Sequence, residues 1–292
     1  MPRLSKKIDG LLNFSDYRSV KHRVAYGFFM GFLIIFLLTA LLPIIWLFIT
    51  SFKTVNEINS TTYTLFPQEF KITKIFDVWN KVNFGKYYIN TLIVVIGAIL
   101  CSVVFNALLA YAIGVLKPAG SKVINALILL GYMIPAALAM YPLLSQIKSF
   151  GLINSYLPLW LAFGANAYYY LLFKDFFEKM PRSLIEAAKV DGLSDLKIFF
   201  KVVLPLSKSI IGVVAIFAMT AAYSDFLLPY TILQDDKLRT VMVAIYNLSG
   251  TTTLDASEQL MLLVISIIPQ IVIFAIFQRQ IMNQSVNSGM KD

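Results

Sequence analysis

A single cysteine, Cys101, and a single histidine, His22, stand in a chain of 292 residues. One cysteine excludes an intrachain disulfide, and its place in an apolar run reads as a small packed residue. His22 stands alone among basic residues, with no second ligand at metal-site spacing, which argues against a zinc site. The sequence contains no Gly-x-x-x-x-Gly-Lys-Ser/Thr phosphate loop, no His-Glu-x-x-His and no serine-nucleophile elbow, so it offers neither nucleotide hydrolysis nor a recognisable enzyme centre. Charge is scarce as well. Charged residues make up 14% of the chain against 58% hydrophobic residues, more apolar side chain than one water-soluble core can hide. The expected class is therefore an all-α polytopic membrane protein that binds no cofactor of its own.

The net charge of +9 does not point to nucleic acid. Lys and Arg fall in clusters between long apolar runs, and no basic surface interleaved with aromatics is visible. Six apolar segments approach the roughly 20 residues needed to cross a bilayer: 24–50, 89–116, 123–147, 157–173, 209–233 and 260–277. The run from Val24 follows some twenty polar residues and is too long for a signal-peptide core, so it is expected to be a retained helix. Six spans put both termini on one side. That side collects 17 basic residues, in the tail 1–23, at Lys117 and Lys122, between spans four and five, and after span six. The other side has 8, which makes the first side cytoplasmic. The expected organisation is a cytoplasmic tail at 1–23, a six-helix domain at 24–277 with a cytoplasmic loop at 178–206, and a cytoplasmic tail at 278–292.

The external segments carry less information. Residues 51–88 are long enough to fold locally, with Phe66-Pro67 and Trp79 suited to the interface. Residues 249–253, Ser-Gly-Thr-Thr-Thr, fit a solvated turn rather better than a contact finger.

The cytoplasmic loop is the informative segment. Ser183 and Glu186 have the spacing of a capping box, which predicts a short helix starting just after Arg182. Gly192 suits the left-handed position past its end. Ser194 can cap a second short helix, whose Leu196, Phe199, Phe200 and Val203 are expected to pack inward until Pro205 ends it. The result would be a rigid elbow.

Glu186, Ala187, Ala188, Gly192, Val202, Leu204 and Pro205 match the pattern Glu-Ala-Ala, three residues, Gly, nine residues, an aliphatic, any residue, Leu-Pro. This resembles the coupling loop of the permease subunits of bacterial binding-protein-dependent ATP-binding-cassette importers. Leu42-Pro43, Ser51-Phe52-Lys53 with Glu57, Met133-Ile134-Pro135, Pro142-Leu143, the run from Gly151 to Leu157, and Ser224-Asp225-Phe226-Leu227-Leu228-Pro229 narrow the resemblance. They are similar to the second permease of the carbohydrate type, the maltose and glycerol-phosphate group. Tyr223-Ser224 stands where that group often has Trp-Asn, and residues 287–291 match its usual ending only in part. The resemblance implies an elbow of Ser183, Glu186, Ala187, Ala188, Asp191, Gly192, Leu204 and Pro205 seated on an ATPase. It implies as partners a second related permease, two ATPase subunits that hold ATP and magnesium, an external solute-binding protein, a sugar and membrane lipid. It implies a bacterial plasma-membrane location.

Candidate pathway residues are Asn166, Tyr168, Tyr169, Tyr170 and Tyr223, since sugar sites combine hydrogen bonds with aromatic faces. A tyrosine cluster near a helix end equally fits an interface belt. Asp225 is the one acidic residue within a predicted span, about 24 Å along it; a structural hydrogen bond there is favoured over direct sugar contact. Asn90 and Asn106 equally suit bonds between helices. Prolines 43, 135, 142, 229 and 269 interrupt or end spans, a feature compatible with alternating access. A self-sufficient secondary transporter would leave the Glu-Ala-Ala loop unexplained, and an amino-acid or peptide permease would keep the loop without the carbohydrate-type flanks.

Overall fold

A computed structural model of the chain describes residues 20–62 and 64–289. Most of the basic N-terminal tail and the final Lys291 lie outside the described residues. The chain is 79% helical, and no strand occurs among the described residues. It divides into two units, 1–72 and 73–292.

In the first unit, α1 (Val20–Ser51) holds a stretch, Val24–Ser51, long and apolar enough to cross a membrane. Phe28, Ile35, Phe36 and Leu42 are all exposed, as befits a helix solvated by lipid. Pro43 lies inside α1. The following segment folds locally, as expected. Thr54 caps α2 (Val55–Asn59) in a complete capping box with Glu57. Glu57 also accepts the Gln68 N–H at 2.7 Å, and the Phe52 and Phe70 rings stack at 4.1 Å. The backbone N–H groups of Thr54 and Gln68 hold the Glu57 carboxyl below its usual range.

In the second unit, α3 (Thr73–Lys81) is a short amphipathic helix whose Trp79 stacks on Tyr88 at 5.1 Å. The central helix is α4 (Gly85–Tyr111), extended by a π-helical turn, Ala112–Leu116. Against α4 pack α7 (Leu157–Gly164), α8 (Ala167–Glu178) and α12 (Lys208–Ser224). Small residues permit this. A Cβ on Gly97 would lie 2.2 Å from the Trp160 indole, and one on Gly164 would lie 2.8 Å from Phe105. Close backbone approach of this kind is how apolar helices associate where water supplies no hydrophobic drive.

Three of the expected spans are not continuous helices. The third is α5 (Ser121–Met133) and α6 (Ala136–Ser149), bent by 104°. Ile134 at the bend is extended, ψ 123°, because the Pro135 ring disfavours the helical region for the residue before it. The fourth breaks between α7 and α8 at Ala165-Asn166 and runs on to Glu178, past the expected end at Phe173. The fifth breaks at Asp225-Phe226, between α12 and α13 (Leu227–Ile232). The first of these two breaks restarts on a polar cap, where the Asn166 Oδ1 accepts the Tyr169 N–H at 3.1 Å; at the second, Asp225 is extended, ψ 126°, and ends α12.

The remaining elements are α14 (Val241–Ser249) and α15 (Ala256–Gly289). Residues 249–253 form a turn in which the Thr251 N–H and hydroxyl both donate to the Leu248 carbonyl. Pro269 lies inside α15 and removes one helical donor, that for Ile265. The Tyr88 hydroxyl donates to that carbonyl at 2.8 Å, and the Tyr223 hydroxyl to the next, Ser266, at 2.7 Å.

Candidate functional site

The segment from Met180 to Ser207 forms the expected elbow. The helix α9 (Arg182–Val190) begins directly after Pro181, about two and a half turns of amphipathic helix with Ile185 and Ala188 buried. It ends in a Schellman motif. The Leu193 N–H donates to the Ala188 carbonyl at 3.1 Å and the Gly192 N–H to that of Lys189 at 3.0 Å. Gly192 sits at φ 78°, the left-handed region read from sequence. The Lys189 ammonium and Asp195 carboxylate, 3.2 Å apart, close the corner. Then α10 (Asp195–Ile198), a π-helical turn (Phe199–Val203) and α11 (Leu204–Leu206) run as one rod that turns by 82° into α12.

Two local expectations are corrected. The Ser183–Glu186 capping box does not form: the cap position is Pro181, with no side-chain cap, and Ser183 lies within α9. The preset φ of Pro181 lets the helix start at Arg182, which moves Ser183 off the cap position. Pro205 stands one residue before the end of its rod, which runs on through Leu206; the turn comes at Ser207. Ser194 occupies its cap position by backbone conformation alone.

Ile198, Phe199 and Val203 are fully buried against Tyr111, Phe173 and Phe177, while Leu196 and Phe200 face out. The inner stripe therefore fixes the elbow to α4 and α8, with Phe199 5.5 Å from the Tyr111 ring. The outer side presents Ser183, Glu186, Ala187, Asp191, Gly192 and Pro205; Ala188 is buried and Leu204 half-buried. Val190 is 88% exposed at the tip, with Leu184, Leu196 and Phe200 also exposed. Glu186, with no hydrogen bond or ion pair among the described residues, the small Ala187, a second exposed carboxylate at Asp191 and a rim of exposed apolar side chains make a slim knob.

The pathway candidates separate. Asn166 and Tyr170 share an open groove of about 850 Å³ at the α5/α6 bend, with Asn106, Tyr132, Met133 and Pro135. Its polar atoms are largely engaged. The Asn106 Oδ1 accepts the Asn166 N–H at 3.0 Å and its Nδ2 donates to Phe163 at 2.9 Å; the Tyr170 hydroxyl donates to Asn125 at 2.8 Å. Tyr169 is buried beside Tyr168, a 39% exposed residue whose ring lies 5.9 Å from that of Phe217. Tyr223 and Asp225 lie away from this groove, Tyr223 in a small apolar pocket with Tyr88 and Pro269. Tyr132 and Asn125 were missed by sequence reasoning; the Ile134-Pro135 step was their available signal.

At the opposite end of α4 from the elbow, Asn90 Nδ2 donates to the Lys237 and Arg239 carbonyls at 2.7 and 2.9 Å. Asp236 accepts from Lys86, from the Tyr87 hydroxyl at 2.9 Å and from Arg239 at 3.0 Å. Burial works to raise the Asp236 carboxyl, but those donors prevail and hold it below the usual range. The Asn154 Oδ1 accepts the N–H groups of Gln234 and Asp235, and the Tyr156 hydroxyl donates to Leu238.

The arrangement is a helical bundle with an exposed knob packed against its central helix. The sequence model of the family described as binding-protein-dependent transport system inner membrane component matches residues 107–287. The chain belongs to that family. It is thus a multi-pass membrane component of a transport system, not an enzyme. Among relatives, it is 31% identical to the diacetylchitobiose uptake system permease protein NgcG of Streptomyces coelicolor, over 88% of this chain and 86% of that one. It is 26% identical to the polygalacturonan/rhamnogalacturonan transport system permease protein YtcP of Bacillus subtilis, over 93% and 100%. The fold matches a chain of a bacterial ABC transporter involved in the import of the acidic polysaccharide alginate, with TM-score 0.79, 23% identity, and 89% and 98% coverage.

Proposed function

We propose that this permease imports a sugar or oligosaccharide as one of two membrane subunits, with two ATPase subunits and an external solute-binding protein. The observation that carries the reading is the elbow: a Schellman-locked α9 with Glu186 unengaged on its outer face, fixed by Phe199 and Val203 to the helices that would move. In this scheme Ser183, Glu186, Ala187, Ala188, Asp191, Gly192, Leu204 and Pro205 form the ATPase contact, and ATP with magnesium stays on the partner. The names of the relatives favour a carbohydrate cargo. The groove with Asn166 and Tyr170 would line the pathway. Tyr168, Tyr169, Tyr223 and Asp225 would support it from behind.

Six crossings, with both termini cytoplasmic, complete the proposal. Support comes from the ends of α4. Residues 232–239 and 154–156 are hydrogen-bonded together and to the start of α4; the elbow packs at its far end. The bent α5/α6 therefore runs from one end of α4 to the other, and α7/α8 returns.

The test is copurification of the assembled complex followed by ATPase and uptake assays in liposomes with candidate sugars and the binding protein. Glu186→Ala and Gly192→Pro are expected to lower ATPase association and transport at least 10-fold. Full coupling in both variants would sink the elbow assignment. Uptake of glycerol phosphate, amino acids or peptides in place of sugars would overturn the cargo.

A further inference from the structure

Where α4 hands over to α5, the chain turns through Lys117-Pro118-Ala119-Gly120, and beside the turn lies an open cavity of about 570 Å³. Its walls include Lys117, Ser121, Lys122 and Asn125, with Lys174 and Glu178 from α8. Lys174 and Glu178 pair with each other at 3.1 Å. Lys117 and Lys122 have no ion pair among the described residues, so the cavity carries two uncompensated positive charges.

The backbone holds this arrangement. Lys117 sits at φ 51°, ψ 53°, a conformation that non-glycine residues adopt rarely and at a cost. Its N–H closes the π-helical turn onto Ala112 at 3.0 Å. The cap of α5 is Gly120, with no side chain bonded to the helix end, so the positive end of a 13-residue helix opens beside the lysines. Gly114 lets the Lys174–Glu178 pair approach the π-helical turn: a Cβ there would lie 3.3 Å from the Lys174 Cγ and 3.5 Å from the Glu178 Cγ. Above the lysines, Val123 and Leu127 on α5 are 63% and 61% exposed.

We propose that this cavity binds the phosphodiester headgroup of an anionic phospholipid, with its acyl chains along Val123 and Leu127. Basic pockets between helices at a membrane surface suit such headgroups. The apolar strip leading away from the charges favours a lipid over free phosphate, which has nothing to lay there. The site requires membrane embedding alone, so a failure of sugar transport or of elbow coupling leaves it standing.

The test uses the assembled transporter in nanodiscs of mixed phosphatidylglycerol and phosphatidylcholine, with annular selectivity read from spin-labelled lipids and tightly held lipid from native mass spectrometry. Wild type is expected to retain phosphatidylglycerol. In Lys117→Gln/Lys122→Gln the preference should fall about 10-fold, and Lys117→Arg/Lys122→Arg should keep it. Should the glutamine variant not assemble, the wild-type preference should collapse in high salt, which screens partly exposed charges. An unchanged preference in the glutamine variant, or in wild type at high salt if that variant does not assemble, overturns the proposal. In detergent, dihexanoyl phosphatidylglycerol should stabilise the complex and inorganic phosphate should not. Equal stabilisation by both would make the site one for free phosphate and overturn it too.

Discussion

Tyr88 shows how a single hydroxyl can complete a helix. Pro269 frees the Ile265 carbonyl inside an apolar helix, and the Tyr88 hydroxyl fills that vacancy at 2.8 Å. An unsatisfied carbonyl in hydrocarbon is costly, though polar contacts between membrane helices average only about 0.6 kcal/mol and reach about 1.7. Tyr88→Phe should therefore destabilise the solubilised transporter by about 1 kcal/mol. In a Pro269→Ala background the helix supplies its own N–H and the cost should nearly vanish. Equal costs in both backgrounds, read by thermal unfolding, would separate the tyrosine from the proline. Asp236 gives a pH prediction. Its carboxyl is depressed in the folded chain, so its contribution is present above the unfolded value of about 3.9 and is lost as pH falls through the lower folded value. Asp236→Asn should lower stability at neutral pH, where that contribution is full, and converge with wild type in acid, which flattens the acid limb of the stability profile. An unchanged acid limb would refute the assignment. Neither partnership was legible in the sequence, because 177 residues separate Tyr88 from Ile265 and spacing carries no information at that range.

Helices and their junctions were legible in part. Apolar runs marked where helices lie, and Gly192 marked the end of α9, because composition and a positive φ leave local traces. Pro135 was read as interrupting its span, and the chain does break there; the breaks at Asn166 and Asp225 did not show, since one polar residue barely alters the average of a 20-residue window. Ser183 and Glu186 misled for the opposite reason: their spacing was right, but Pro181 had already started the helix. The α4–α7 contact yields a sharper test. A Cβ on Gly97 would meet three atoms of the Trp160 indole at 2.2 to 2.4 Å, too close for a flexible tip to yield. Gly97→Ala should cost about 1–3 kcal/mol, the usual range for overpacking. Adding Trp160→Leu, which vacates the space, should recover part of it. A tolerated Gly97→Ala, with unchanged Tm and yield, would mean that the two helices are not held this closely.

At the scale of the whole chain, topology hangs on whether α5/α6 crosses. Bent by 104°, this pair has the geometry of either a broken span or a re-entrant loop. If it turned back, every later segment would change sides. The elbow, with Arg182, Lys189, Lys197 and Lys201, would then face outward against the positive-inside bias, and residues 249–253 would face the cytoplasm. The hydrogen bonds that Asn154 accepts from Gln234 and Asp235 and that Tyr156 donates to Leu238 oppose this, because they hold the segment after α6 at the same end of α4 as the last external loop. Since Cys101 is the only cysteine, Cys101→Ser provides a clean background for thiol labelling. Ser60→Cys and Thr252→Cys should react with a membrane-impermeant reagent in intact cells, and Val190→Cys only after permeabilisation. Val190→Cys should also be shielded when the ATPase partner is bound, because the most exposed apolar side chain of the elbow lies at the proposed contact. Labelling of Val190→Cys from outside, paired with silence at Thr252→Cys, would make α5/α6 re-entrant and put the elbow beyond the reach of any cytoplasmic ATPase.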